Sequence, residues 1–259
     1  MVLAGPTAQA QNADVTFFVI GKHGNYTQTP SGERASVDYS FFSEIFLTAN
    51  GDASGATLTF PTNELAAFRD MREIEGGSRD NIFLFSGEDR FTDYPALQNR
   101  YPDGEYRVSF STPSGSVEDG VLLFEDRDLP APPGVSLQQG ADSRRRLLAP
   151  GVDTIVSWTE FSEGRPDPNG ILDDLIFVIL TSEDGERVAH SGRPFEGLSY
   201  LTFADKTFTI DGDVLLPGST YSLSVEHALL DDTIRFDGVP AFTTRAVTTK
   251  LQFMTATPE

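Results

Sequence analysis

Short apolar runs separated by turn residues organise this chain, and few of them keep a helical period. Residues 15–20 (VTFFVI) form a compact apolar run of the kind a buried strand makes. Gly21-Lys22-His23-Gly24-Asn25 behind them predicts a turn. Residues 35–47 (ASVDYSFFSEIFL) read as a strand whose alternation is disturbed at Phe41-Phe42, which predicts a bulge. Asn50-Gly51-Asp52 carries hairpin-turn chemistry, and 56–60 (ATLTF) follows as a strand. The period then changes. Leu65, Phe68, Met71 and Ile74 recur at threes behind Thr62 and Asn63, which predicts a short amphipathic helix over 61–74. Residues 81–85 (NIFLF) return to strand, 93–100 (DYPALQNR) predict a turn of helix stopped at Tyr101-Pro102-Asp103-Gly104, and 105–110 and 121–124 are again strands.

Asp128-Leu129-Pro130-Ala131-Pro132-Pro133-Gly134 interrupts this grammar, because closely spaced prolines prefer an extended, unpaired backbone. The expected division is therefore a terminal segment 1–10, a first β-sandwich 11–127, a linker 128–134 and a second sandwich 135–259. In the second part, 154–158 (TIVSW), 175–180 (LIFVIL), 187–190, 207–210, 233–236, 241–247 and 251–254 read as strands, with Glu183-Asp184-Gly185-Glu186 as a hairpin turn. Leu216-Pro217-Gly218-Ser219-Thr220-Tyr221 is a turn running into a further strand, with Leu223 and Val225 on its inward face. A tyrosine so placed suits a sandwich corner, where its hydroxyl ties the turn back to the backbone.

Composition supports the all-β class: 20 Phe and 7 Tyr stand against 1 Trp and 3 Met, with 23 Gly and 16 Pro to punctuate turns. A formal charge of −20 makes nucleic acid and anionic lipid surfaces poor partners. The chain has no cysteine, so disulfides and thiolate metal sites are excluded. No stretch approaches the ~20 apolar residues of a spanning helix, so membrane insertion is not expected. The Ala8-Gln9-Ala10 step resembles the small-residue cleavage site of a secretory signal, although no basic region precedes it. It fits the remnant of a signal or an ordinary terminus, and the expected location is secreted or cell-surface.

From Pro130 onward the order of features resembles the fibronectin type III family: a proline-rich entry, a strand carrying Trp158, then the corner at Tyr221 with Val225 four residues on. The resemblance covers roughly the last half of the chain and implies an immunoglobulin-like sandwich. The chain departs from the pattern in a long segment after Trp158 and in the Arg144-Arg145-Arg146 run, and it has no Arg-Gly-Asp triplet. The first half, on its Tyr101-Pro102-Asp103-Gly104-Glu105-Tyr106 step, looks like the N-terminal sandwich of uncharacterised exported bacterial proteins, which implies no activity.

Candidate chemistry is sparse. Asp167, Asn169, Asp173 and Asp174 cluster around Gly170, and hard cations want several oxygens from such a turn. Pro168 and the missing distal Glu break the EF-hand form, so the choice lies between a Ca²⁺ site and a solvated acidic loop. Tyr26, Tyr94 and Tyr101 lie near predicted turns and could stack sugar rings, or simply pack in cores. His23, His190 and His227 are scattered, His227 sharing a face with Val225 or closing a strand end, and no recognised catalytic motif is present. The Arg144–Arg146 run is a solvated loop or a patch that docks on an acidic surface, and Asn25-Tyr26-Thr27 fits a glycosylation sequon. The expected function is a non-catalytic, exported bacterial surface or matrix protein acting in adhesion or self-assembly. Its partner would be a protein or glycan at a cell surface, with edge strands as a route to homo-oligomers. The alternative is a carbohydrate-binding module using loop aromatics, with Ca²⁺ as its only candidate cofactor.

Overall fold

The computed structural model describes residues 13–73, 82–87, 90–140 and 147–257. Its elements in chain order are β1 (Val15–Gln28), β2 (Arg34–Leu47), β3 (Ser54–Thr59), β4 (Leu65–Ala67), β5 (Arg69–Asp70), β6 (Ile82–Ser86), α1 (Tyr94–Arg100), β7 (Gly104–Thr112) and β8 (Gly115–Phe124). There follow β9 (Val135–Gln138), β10 (Leu147–Leu148), β11 (Thr154–Trp158), β12 (Leu175–Ser182), β13 (Arg187–His190), β14 (Leu201–Thr202), β15 (Thr207–Ile210), β16 (Thr220–Phe236) and β17 (Val239–Thr255). No described helix is long and apolar enough to cross a membrane.

One ten-stranded sheet is the backbone of the molecule. Its main path is β13-β12-β16-β17-β1-β2-β6-β5, with β10 added beside β17 and β14 beside β12. A four-stranded sheet, β4-β3-β7-β8, and a three-stranded sheet, β15-β11-β9, pack on it. The fold is an all-β sandwich. Strands β9, β11 and β15 against β13, β12, β16 and β17 reproduce the three-plus-four partition of an immunoglobulin-like sandwich. Tyr221 forms the expected corner: its buried hydroxyl donates to the Val214 carbonyl (3.1 Å) and accepts from the Leu216 amide (2.7 Å). Trp158 packs half-buried against the same core.

The long β16–β17 hairpin joins the two halves. Odd-numbered residues of β17 serve both cores: Val239 and Ala241 lie with Phe18, Phe41 and Tyr106, whereas Leu251 and Phe253 lie with Val156, Val178 and Leu223. Strand β1 pairs with β17 in parallel, from Phe18 opposite Ala241 to Gln28 opposite Leu251. Hydrogen bonding is thus continuous across the expected 11–127 and 135–259 division. The 128–134 segment is irregular, as its prolines require, yet it lies against the body, with Pro130 and Pro133 buried and Leu129 packed on the first core.

Several local readings are corrected by the sheet. The Gly21–Asn25 segment is the middle of β1, because Gly21 leaves room for the Phe42 ring; a Cβ there would sit 2.2 Å from its tip. Phe41 and Phe42 face opposite sides of an unbulged stretch of β2, each in its own cluster, and the β1–β2 register shifts lie elsewhere. Asn50-Gly51 turns the chain between sheets, since β3 pairs with β4 and β7 and not with β2. The expected helix over 61–74 is instead β4, β5 and a single 3₁₀ turn, Met71–Glu73, with Ile74 outside the described residues. There Phe68 packs on the first core while Leu65 stays exposed, so the spacing at threes does not form one face. Helix α1 does form over the expected residues, capped by the Asp93 carboxylate on the Ala96 amide at 2.8 Å.

Candidate functional site

Both small sheets cover the same face of the large sheet. Register puts Phe18, Ile20, Lys22 and Gly24 of β1 level with Ala241, Thr243, Arg245 and Val247 of β17, and pairs Thr249 with Val225 and Leu251 with Leu223. Among the described residues the opposite face has only partial cover. There Phe17, Val19, Phe42, Phe46, Phe177, Leu230 and Phe242 form a cluster with Leu172 and Phe195 from neighbouring loops. Phe46, Phe17 and Phe242 stack across three strands, with centroids 4.3 Å and 5.7 Å apart. Phe42, Phe46 and Phe177 remain half-buried. They line an open groove of about 560 Å³ with Arg90, Arg193, His23, Asn25 and Glu226.

Polar groups converge at one part of this groove. His23 Nε2 lies 2.8 Å from Thr248 Oγ1 and 3.1 Å from Glu226 Oε2, and Thr248 donates to the same carboxylate at 2.8 Å. Burial pushes the Glu226 carboxyl up, but bonding and charge from His23 and bonding from Thr248 outweigh it, leaving the group below its ordinary range. Beside it the Asn25 amide donates to Asp38 at 2.7 Å. Three strands bring this trio together because β1 lies beside β17, and β17 beside β16. The trio is not visible in the sequence: Gly21–Asn25 reads as a turn there, and the parallel pairing that carries His23 to Thr248 leaves no local trace. Strand alternation of Gly21, His23 and Asn25 was the available signal. The sequon at Asn25 falls inside this strand, with its amide already bonded to Asp38.

The covered face holds a second polar group at the junction of the two sandwiches. Lys22 and Arg245 are fully buried and opposite one another. Lys22 Nζ lies 2.5 Å from Asp103 Oδ1, and Arg245 reaches the same oxygen at 2.8 Å and Asp231 at 2.7 Å. Arg245 also donates to Tyr94 Oη and the Glu125 carbonyl. Burial pulls the Lys22 ammonium down to about 8 against the opposing pull of Asp103. Burial likewise raises Asp231 despite Arg245 and Arg127 beside it. These groups bind the β1, β16 and β17 strands to the turn after α1, and they point inward.

The three tyrosines are not brought together as an exposed platform. Tyr101 is buried and stacked on Phe41 with centroids 4.2 Å apart. Tyr26 bonds Tyr39 through its hydroxyl at 2.9 Å, and Tyr94 accepts from Arg245. All three pack against the first core, which needs their rings to fill the space between β2 and the α1 region.

The acidic loop is tied by hydrogen bonds to its own backbone and to β16. Asp167 Oδ1 accepts from the Asn169 amide and the Thr233 hydroxyl, and its Oδ2 accepts from the Ile171 and Leu172 amides. Asp173 accepts from the Asp167 amide, and Asp174 from the Leu230 and Arg165 amides. Asn169 donates to the Thr233 carbonyl at 2.9 Å. The loop thereby finishes the edge of β16 beyond Ala228, where β12 has ended. No group of three or more acidic or histidine side chains able to hold a metal occurs among the described residues. His227 lies inside, stacked on Phe161 at 4.3 Å, and not at a strand end. His190 accepts from the Gly192 amide at the β13 edge. The Arg144–Arg146 run lies outside the described residues.

No family model matches this chain, and no curated protein does. Among solved structures it is similar to a biofilm-associated protein BSP domain at 13% identity and a TM-score of 0.21, covering 92% of this chain and 30% of that one. It is also similar to the FN1-FN3 domains of chicken CNTN1 at 10% identity and a TM-score of 0.28, covering 92% and 66%. The chain thus spans less than a third of the first and about two thirds of the second. At these scores the likenesses add nothing to the topology already described.

Proposed function

We propose that the chain is a non-catalytic adhesion module of an exported surface or matrix protein, and that it holds a protein partner on the half-covered face of its large sheet. The observation that carries this reading is the groove itself. Phe42, Phe46 and Phe177 are left half-buried beside Arg90, Arg193 and the His23–Glu226–Thr248 trio, on a face the molecule's own small sheets leave uncovered. Aromatic anchors with polar groups around them are the ordinary makings of a protein contact. Within the trio the Glu226 carboxylate is engaged by both His23 and Thr248.

The same groove supports a second reading, a glycan site, since flat rings beside His, Asn and Glu can also receive a sugar. It would use these phenylalanines in place of the loop tyrosines. Retention of fluorescent chain on intact bacterial cells tests both readings. Under the protein reading, protease treatment of the cells abolishes retention, and the Phe42→Ala/Phe177→Ala variant weakens it by about tenfold or more. Selective binding on a glycan array would favour the second reading, and absence of retention would count against adhesion.

A further inference from the structure

We propose that the chain bears tension along its long axis, with the β1–β17 ladder as a shear clamp. The inference follows from topology and does not rest on the adhesive reading. Strands β1 and β17 run parallel, so the start of β1 lies beside the start of β17 and the end of β17 lies at the far pole. Between Val15 and Thr255 the span is roughly 50 Å at the ordinary rise of a strand. A pull entering ahead of Val15 and leaving after Thr255 therefore runs along the strands. It draws β1 and β17 past each other, and the ladder from Phe18–Ala241 to Gln28–Leu251 is loaded together. Were both forces applied at one pole, the same ladder would open one bond at a time.

Further ties lie along this line. At mid-ladder, Lys22 and Arg245 share the Asp103 carboxylate. At the far end Gln28 clasps Val135, donating to its carbonyl at 2.7 Å and accepting from its amide at 2.8 Å. Strand β10 continues the parallel pairing beyond β1, with Leu147 opposite Met254 and Leu148 opposite Thr255. Slippage of β1 by one residue would also turn the Phe18 and Ile20 face out of the core, which resists displacement along the axis.

The absence of cysteine lets introduced pairs serve as unique attachment points for single-molecule pulling. Handles on exposed Ala13→Cys and Thr257→Cys apply the axial load. Ala13→Cys with Arg235→Cys pulls from the near pole, and Ser31→Cys with Thr257→Cys from the far pole. Each pair is first checked for native Trp158 fluorescence, and either same-pole pair suffices for the comparison. The expected result is a single axial rupture at a force at least about twofold that of the same-pole geometry at equal loading rate. An axial force no higher than the same-pole force, or an axial trace that begins with a low-force partial release, would overturn the proposal.

Discussion

His227 shows how one buried side chain can couple this fold to acidity. It is 2% exposed, stacked on Phe161, and its Nε2 has no hydrogen-bond partner among the described residues, so the neutral ring fits and the charged ring does not. Burial pulls the imidazole down to about 4 from an ordinary 6.5. Between those values the unfolded chain binds a proton that the folded chain refuses. The contribution of His227 is therefore complete above pH 6.5 and is lost as the pH falls toward 4. Asp174 acts oppositely over an overlapping range: burial pushes it up to about 6, so its contribution is complete below 3.8 and is lost as the pH rises through 6. Comparison with a variant isolates the histidine. His227→Phe keeps the stack, and relative to the parent it is expected to gain roughly 2–3 kcal/mol between pH 7.5 and pH 4 in urea titrations. A stability difference independent of pH would contradict the buried neutral ring.

Strands were legible wherever their signal was local. β11, β13 and β15 begin and end where the sequence places them, and the Tyr221 corner forms as the turn residues predict. Reading failed where a distant partner decides the local form. Gly21 and Gly24 look like turn residues, yet Gly21 is there because Phe42 of the neighbouring strand occupies the space of its side chain. The groove was missed for the same reason, since its floor depends on which strand lies beside β1. The acidic loop was recognised as a cluster but not as a strand substitute, because its acceptors serve β16, some sixty residues away. A mutant cycle tests the Gly21 account. Gly21→Ala is expected to cost about 1–3 kcal/mol by displacing the Phe42 ring, and much of that cost should vanish in a Phe42→Ala background. Additive losses would show that the ring and the glycine are not coupled.

At the scale of the whole molecule, the cores on either side of the proline-rich segment share strands. The hairpin of β16 and β17 lends one end to each core, and β1 closes the outer side of β17 over most of its length. That side is therefore closed to pairing with another chain, and the strands that end the large sheet's main path, β13 and β5, are only 4 and 2 residues long. Shared strands predict shared unfolding. Trp158, the only tryptophan, reports the second sandwich, whereas far-ultraviolet circular dichroism reports the entire chain. The two signals should trace one urea transition with the same midpoint. Separate midpoints would mean that the halves come apart before either core is lost.

The place of β1 also sets an order of events as the polypeptide emerges from the ribosome. Phe18 is made long before its neighbour Ala241, so the first sandwich waits for β17 before it can close. Until then its phenylalanine-rich strands stand open, and pairing across so long a loop is slow.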